Sequence, residues 1–155
     1  MTKSSGKAPA RSASSVLEMG ILSSSVEFSL RMASVAAGQR FYEAMRAFRL
    51  RPGQFATLVL IGANPGVGQR GISETLRIDK ANFTGLLNTL ERRNLVERRA
   101  DPGDHRRYAL YLTREGKALL RKASRAYDRL EAGLAKLLPA RVRRDFVANL
   151  RLIAE

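Results

Sequence analysis

Apolar residues return at spacings of three and four over most of this chain, and one stretch breaks to a different period. From about Val16 to Phe48, Ile21, Leu22, Val26, Leu30, Ala33, Ala37, Phe41, Met45 and Phe48 predict one helix or two, with continuity weakest at Gly38. Pro52 reads as the first position of the next helix, Gln54 to Ile61. Two short helices follow from Ile72. In the second, Phe83, Leu86, Leu87 and Leu90 form one stripe, so Ala81, Asn82, Gly85, Asn88 and Arg92 lie opposite, on a small, polar, acid-free face. Asp79 precedes this helix as N-cap, and Asn94 follows it where positive φ favours Gly or Asn. Thr113 caps a long helix in which Gly116, Leu120, Ala123, Tyr127, Leu130, Leu134 and Leu137 alternate by four and three, a heptad-like seam. Pro139 breaks it, and a last helix to about Ile153 carries Val142, Phe146, Asn149 or Leu150, and Ile153 on one face.

The different period lies at Leu95–Arg99 and Tyr108–Leu112, two short strand-forming runs separated by Ala-Asp-Pro-Gly-Asp-His-Arg-Arg, a strong turn signal. Arg98, Arg99, Arg106 and Arg107 give this hairpin guanidinium groups suited to phosphates and to a narrow minor groove, with His105 at the tip. Two short helices and a basic hairpin outline a winged helix-turn-helix. The expected fold is mainly α, with a two-stranded β-wing and N- and C-terminal dimerisation helices. A basic disordered tail is expected over 1–15 and a single domain over 16–155, its DNA-binding lobe at 50–113 and its dimerisation helices at 16–49 and 114–155.

Charge narrows the partner. Lys and Arg number 28 against 14 acids, a net +14, which points to a polyanion, and nucleic acid fits better than membrane because no basic amphipathic helix stands apart from the core pattern. No apolar run approaches a membrane span. The first fifteen residues lack the apolar region of a secretory signal; a transit peptide is the alternative to a disordered tail. The absence of cysteine removes disulfides and thiolate chemistry and fits a cytoplasmic protein; a lone histidine makes an ordinary zinc site improbable. No nucleophile–base pair, catalytic carboxylate pair or metal cluster stands at a recognisable spacing, so no enzyme activity and no cofactor are expected. Gly66-x-Gly68-x-x-Gly71 invites a dinucleotide-binding reading, but Glu91, at the right distance for the ribose acid, falls inside a helix and too little strand sequence follows; the glycines read as loop glycines.

The run LNTLERRNLVERRADPGDHRRYALYLTREGKALL is similar to the signature of the MarR family of bacterial transcriptional regulators: its Leu-Glu-basic-basic-Gly-Leu-Val-x-Arg step, its Asp-Pro-x-Asp-x-Arg wing and its Leu-Thr-x-x-Gly exit. Arg51-Pro-Gly-Gln-Phe55 resembles the family's Pro-x-Gln-Phe helix start. Asn94 stands where the family has Gly, and Gly85 where it commonly has a basic or larger polar residue. The resemblance covers about Leu50 to Leu120. It implies a homodimer that places two recognition helices in successive major grooves of an inverted-repeat operator, with wings over the minor grooves. Asp104 and Arg106 match the family's Asp-x-Arg wing pair, the acid stabilising the hairpin and the arginine at the minor groove.

Candidate base contacts are Asn82, Thr84 and Asn88; Thr84 sits at the flank of the stripe, where helix packing is the competing role. Arg77, Lys80, Arg92 and Arg99 read as phosphate contacts, with Asp104, His105, Arg106 and Arg107 at the wing. Dimerisation candidates are Leu120, Tyr127, Leu130, Leu134, Phe146 and Leu150, with packing inside one chain as the alternative. The resemblance also implies a small aromatic carboxylate, or its CoA thioester, as an effector that releases a repressor from DNA. Arg40, Phe41, Tyr42, Arg46, Phe48 and Arg49 gather aromatic and cationic groups for such a ligand; the competing reading makes the aromatics core and the arginines surface. A sequence-indifferent basic architectural protein is the alternative function.

Overall fold

The computed structural model describes residues 17–101 and 104–154, with the backbone alone at 101 and 104–107. The expected tail at 1–15 and the side chains of Asp104, His105, Arg106 and Arg107 therefore lie outside the described residues. The chain divides between Val35 and Ala36 into two units. The described part of the first is a 3-10 turn, Gly20–Ser24, and the first half of helix α1 (Val26–Met45). Ile21, Val26, Met32 and Val35 are exposed there. The helix passes through Gly38 without a break, since its backbone bonds need no side chain at that position.

The second unit holds the end of α1, a 3-10 turn Arg46–Phe48, α2 (Pro52–Ala63), β1 (Val67–Gly68), α3 (Gln69–Thr75), α4 (Lys80–Arg92), β2 (Val96–Asp101), β3 (Asp104–Leu112), α5 (Arg114–Ala135) and α6 (Ala140–Ala154). The wing is longer than expected. Its strands pair out to Asp101 opposite Asp104, with an irregularity at Ala100/Asp101. A third strand was not legible: β1 pairs antiparallel with β3, Val67 opposite Leu110, giving the order β1-β3-β2. Gly66 makes this possible. It takes φ 88° and donates its N–H to the Leu110 carbonyl at 2.9 Å, where a Cβ would stand 3.0 Å from the Tyr111 hydroxyl.

The core collects the predicted stripes. Phe83, Leu87 and Leu90 of α4 are fully buried with Leu58 and Ile61 of α2, Ile72 of α3 and Leu110 of β3. Phe41, Phe55 and Tyr127 form an aromatic trio, with centroids 5.9 Å apart for Phe41–Phe55 and 4.9 Å for Phe55–Tyr127. Burial pushes the Tyr127 phenol above its ordinary pKa, with the Glu131 carboxylate adding to the effect. The ring is therefore neutral packing.

Two groups of candidate residues take defined places in this chain. Leu120, Tyr127 and Leu130 on the α5 seam pack against the core of their own chain, because α2 and the end of α1 lie against that face. Leu134 is half-buried. By contrast α6 buries nothing: Val142, Phe146, Val147, Leu152 and Ile153 are all exposed, and Leu150 is half-buried. The arginine–aromatic group near the end of α1 is also divided. Phe41 is buried, and Phe48 packs partly against the core. Arg40 borders a groove with α5, while Tyr42, Arg46 and Arg49 border a separate shallow one. At about 100° per residue, Arg40 and Tyr42 stand roughly 200° apart around α1, so they face different grooves.

Candidate nucleic-acid interface

Helix α3, a turn at Leu76–Asp79 and helix α4 form the helix-turn-helix. The turn is built by Arg77 at φ 51°, a left-handed residue that lets Ile78 donate back to the Ser73 carbonyl at 3.0 Å. Asp79 caps α4 as predicted: Oδ1 accepts from the Asn82 backbone N–H at 2.9 Å and Oδ2 from the Asn82 side-chain amide. These two bonds hold the Asp79 pKa below the ordinary carboxylate value. A lowered carboxyl pKa stabilises the fold above the unfolded value and loses that contribution as pH falls through the folded one. Protection of the Asn82 amide against hydrogen exchange should therefore decline selectively once pH drops below the usual aspartate range, and Asp79→Ala should remove that decline.

Lys80, Ala81, Asn82, Gly85, Asn88 and Arg92 are all exposed on α4, opposite the buried stripe. Arg77 is exposed beside them. The polar groups are already oriented. One N–H of the Asn82 amide goes to Asp79, which leaves its second N–H and its carbonyl oxygen without a partner among the described residues. Asn88 is the converse: its Oδ1 accepts from Arg98 Nη2 at 3.1 Å, which leaves its amide as a donor. Such a face offers both complements of a base edge. Arg92 lies over Thr89, Nη2 to Oγ1 at 3.3 Å. Thr84 takes the packing role: its hydroxyl donates to the Lys80 carbonyl at 2.7 Å and accepts from Gln69 Nε2 at 3.1 Å, joining α3 to α4.

Consecutive residues of β2 point to opposite faces of the wing. Arg98 turns toward α4, where its Nη1 meets Glu91 at 3.3 Å, both side chains about three-quarters covered at 28% and 25% exposure. Its Nε is buried without a partner. Arg98 thus clamps the wing to the recognition helix. Arg99 faces the other way, its guanidinium 4.5 Å from the Tyr111 ring centroid and paired with Glu97. The sequence reading expects a phosphate contact here; strand alternation places the Arg99 guanidinium at the edge of a cavity between α2, the wing and α5. Arg93, unremarked in the sequence, donates to the Phe48 and Arg49 carbonyls at 2.8 and 2.7 Å and ties the end of α4 to the 3-10 turn after α1. The only signal for it was a basic residue at a helix end, facing carbonyls that the preceding turn leaves unpaired.

The cavity beside Arg99 has a volume of about 690 Å³ and is lined by Val59, Gly62 and Pro65, by Tyr111 and Leu112, and by Leu120, Arg121, Ser124 and Arg125. An apolar and aromatic lining with arginines on one side suits an anionic aromatic ligand. Among the described residues, no group of three or more His, Cys, Asp or Glu is placed to hold a metal, and no helix is long and apolar enough to cross a membrane.

Residues 50–107 match the family model described as MarR family. A protein assigned to transcriptional regulation of the hcr operon in Thauera aromatica is 31% identical over 130 residues, 83% of this chain and 78% of that protein. The transcriptional repressor CouR bound to a 23-mer DNA duplex superposes with a TM-score of 0.87 at 36% identity, over 91% of this chain and all of CouR. The chain belongs to the MarR family. CouR bound to p-coumaroyl-CoA matches with a TM-score of 0.82 at 34% identity, over 90% of this chain and 99% of that one. This MarR-family protein is a DNA-binding transcriptional regulator with a winged helix-turn-helix fold.

Proposed function

We infer that this MarR-family regulator is a cytoplasmic homodimeric repressor of a palindromic operator, without enzymatic activity, released by a small anionic aromatic effector, a carboxylate or its CoA thioester. The observation that carries the reading is the pairing of an exposed, acid-free recognition face with a separate arginine-edged cavity on the far side of the same wing. Lobe 50–113 reads DNA, and helices within 16–49 and 114–155 dimerise. Support for the dimer is the uncovered apolar face of α6, led by Phe146. Support for the ligand is CouR, which is found with DNA and with p-coumaroyl-CoA. In this reading Arg121 and Arg125 meet the anionic group and the Val59–Tyr111 side receives the aromatic body.

Selection of random duplex DNA at near-physiological salt tests the operator. An enriched inverted repeat with half-sites about one helical turn apart is expected; salt-sensitive retention without enrichment would favour the sequence-indifferent architectural alternative. In the selected site, Asn88→Ala should relax preference by about 1–3 kcal/mol at one base pair, whereas an equal loss on all sequences would make Asn88 a positioning contact. Arg106→Ala should weaken operator binding strongly and leave the dimer intact, and unchanged affinity would remove the wing from the interface.

A further inference from the structure

The wing carries an aromatic side chain that neither the core nor the cavity uses. Tyr108 stands on β3 opposite Ala100, nearer the wing tip than Leu110, which is opposite Arg98. Alternation along a strand puts Tyr108 on the face of Leu110 and Leu112, both buried, and of Arg98, which reaches across to Glu91 and Asn88 of α4. Ala109 and Tyr111 take the opposite face with Arg99. Tyr108 therefore lies on the recognition-helix side of the wing, one pleat past the point where the core ends. The pairing of β1 with β3 stops at Gly68 opposite Ala109, so α3 begins at Gln69 just where β3 reaches Tyr108. The start of α3, the clamp to α4 and the wing all meet around this position.

At 57% exposure, Tyr108 is the most exposed large apolar side chain among the described residues of 50–113. Its cross-strand neighbour gives no cover, since Ala100 is small and itself exposed. The two arginines of β2 are committed elsewhere: Arg98 to Glu91 and Asn88, and Arg99 on the far face to Tyr111 and Glu97. Among the described residues, this face leaves open an apolar ring that ends in a hydroxyl. A helix in the major groove and a wing in the adjacent minor groove are separated by one sugar-phosphate backbone. A ring between the two elements meets that backbone, where deoxyribose carbons match its face and phosphate oxygens accept from its O–H.

We propose that Tyr108 is a DNA-backbone contact, packing its ring on a deoxyribose and donating its hydroxyl to the phosphate at the rim between the groove read by α4 and the groove under the wing. The contact positions the wing and carries no sequence information. Because the phenol is neutral, it displaces no counterion. This rests on the reading that the wing reaches the minor groove, which Arg106→Ala tests by itself.

The test compares full-length wild type with Tyr108→Phe and Tyr108→Ala by fluorescence anisotropy, on the duplex enriched by the selection above and on the unselected random duplex pool. Tyr108→Phe should bind both DNAs about tenfold more weakly, as a lost hydrogen bond to a charged group requires, with the salt slope unchanged. Tyr108→Ala should lose more, since the ring goes too. Replacing one phosphate at a time in the enriched duplex by a neutral methylphosphonate then locates the bond. At one position per half-site, the replacement should weaken wild type about fivefold more than it weakens Tyr108→Phe. Equal affinity of all three proteins for both DNAs would overturn the proposal. Full affinity in Tyr108→Phe with a loss in Tyr108→Ala would overturn the phosphate bond. A loss confined to the enriched duplex, with an altered base preference, would overturn it by assigning Tyr108 to a base edge. Methylphosphonate losses equal in wild type and Tyr108→Phe at every position would overturn it by making the effect one of wing structure. The random pool reports the contact even where no operator is enriched, which separates its failure from that of the operator.

Discussion

Gly116→Ala should lower the unfolding midpoint by about 6–12 °C, the equivalent of about 3 kcal/mol in a chain of this size. Gly116 is buried at the first turn of α5, where a Cβ would stand 1.9 Å from the Leu95 carbonyl oxygen and 2.9 Å from its carbon. No side chain can turn away to relieve that contact, because both partners are fixed backbone. The Leu95 carbonyl also accepts from the Thr113 N–H at 3.2 Å, Thr113 Oγ1 donates to the Asn94 carbonyl at 2.6 Å, and the Gly116 N–H donates to Thr113 Oγ1 at 2.9 Å. One methyl group must therefore separate three elements at once: the end of α4, the start of the wing and the cap of α5. Urea or thermal unfolding followed by circular dichroism measures it. A midpoint within about 2 °C of wild type would mean that this junction yields freely.

Arg98→Ala should reduce operator affinity by about tenfold or more and stability by about 1–3 kcal/mol. The stability loss is kept modest because both partners of the Arg98–Glu91 pair retain about a quarter of their exposure. The affinity loss comes from position. Without Arg98, Glu91 is left as a largely covered carboxylate without its cation, Asn88 loses the bond that fixes its Oδ1, and the wing is no longer held to α4. Salt dependence separates this clamp from a direct phosphate contact. For a clamp, the slope of binding against salt stays the same in Arg98→Ala; for a phosphate ligand, it falls by about one charge. Glu91→Gln should reproduce part of the defect, and the double variant should lose less than the sum of the two. Strict additivity would mean that the pair does not couple.

Much of the DNA-reading lobe was legible because it depends on local rules. Period 3.6 placed Phe83, Leu87 and Leu90 inside and Asn82, Gly85 and Asn88 outside. Asp79 and Thr113 cap their helices, and Asn94 takes φ 54° after α4, each predicted from residue type at a helix end. The two-residue strand β1 left no such trace, since a strand of Val67 and Gly68 has no period to read, and only the approach of β3 creates it.

The site was less legible where a side chain had two possible partners. Arg98 and Arg99 are indistinguishable as sequence, both basic and both on a β-ribbon; the register of β2 sends one to Glu91 and the other to Tyr111. Thr84 was balanced between base contact and packing until α3 brought Gln69 to it. Likewise the α5 seam has the same spacing whether its neighbour is a second chain or α2, and here Leu120, Tyr127 and Leu130 meet their own core. Composition, capping and periodicity alone determined that this is a basic, mainly helical chain with a recognition helix and a wing, because those signals act within a turn or a strand. Which cations lie beside the recognition helix, which line the cavities, and which apolar stripe remains uncovered were decided by tertiary packing, because each depends on what arrives from tens of residues away.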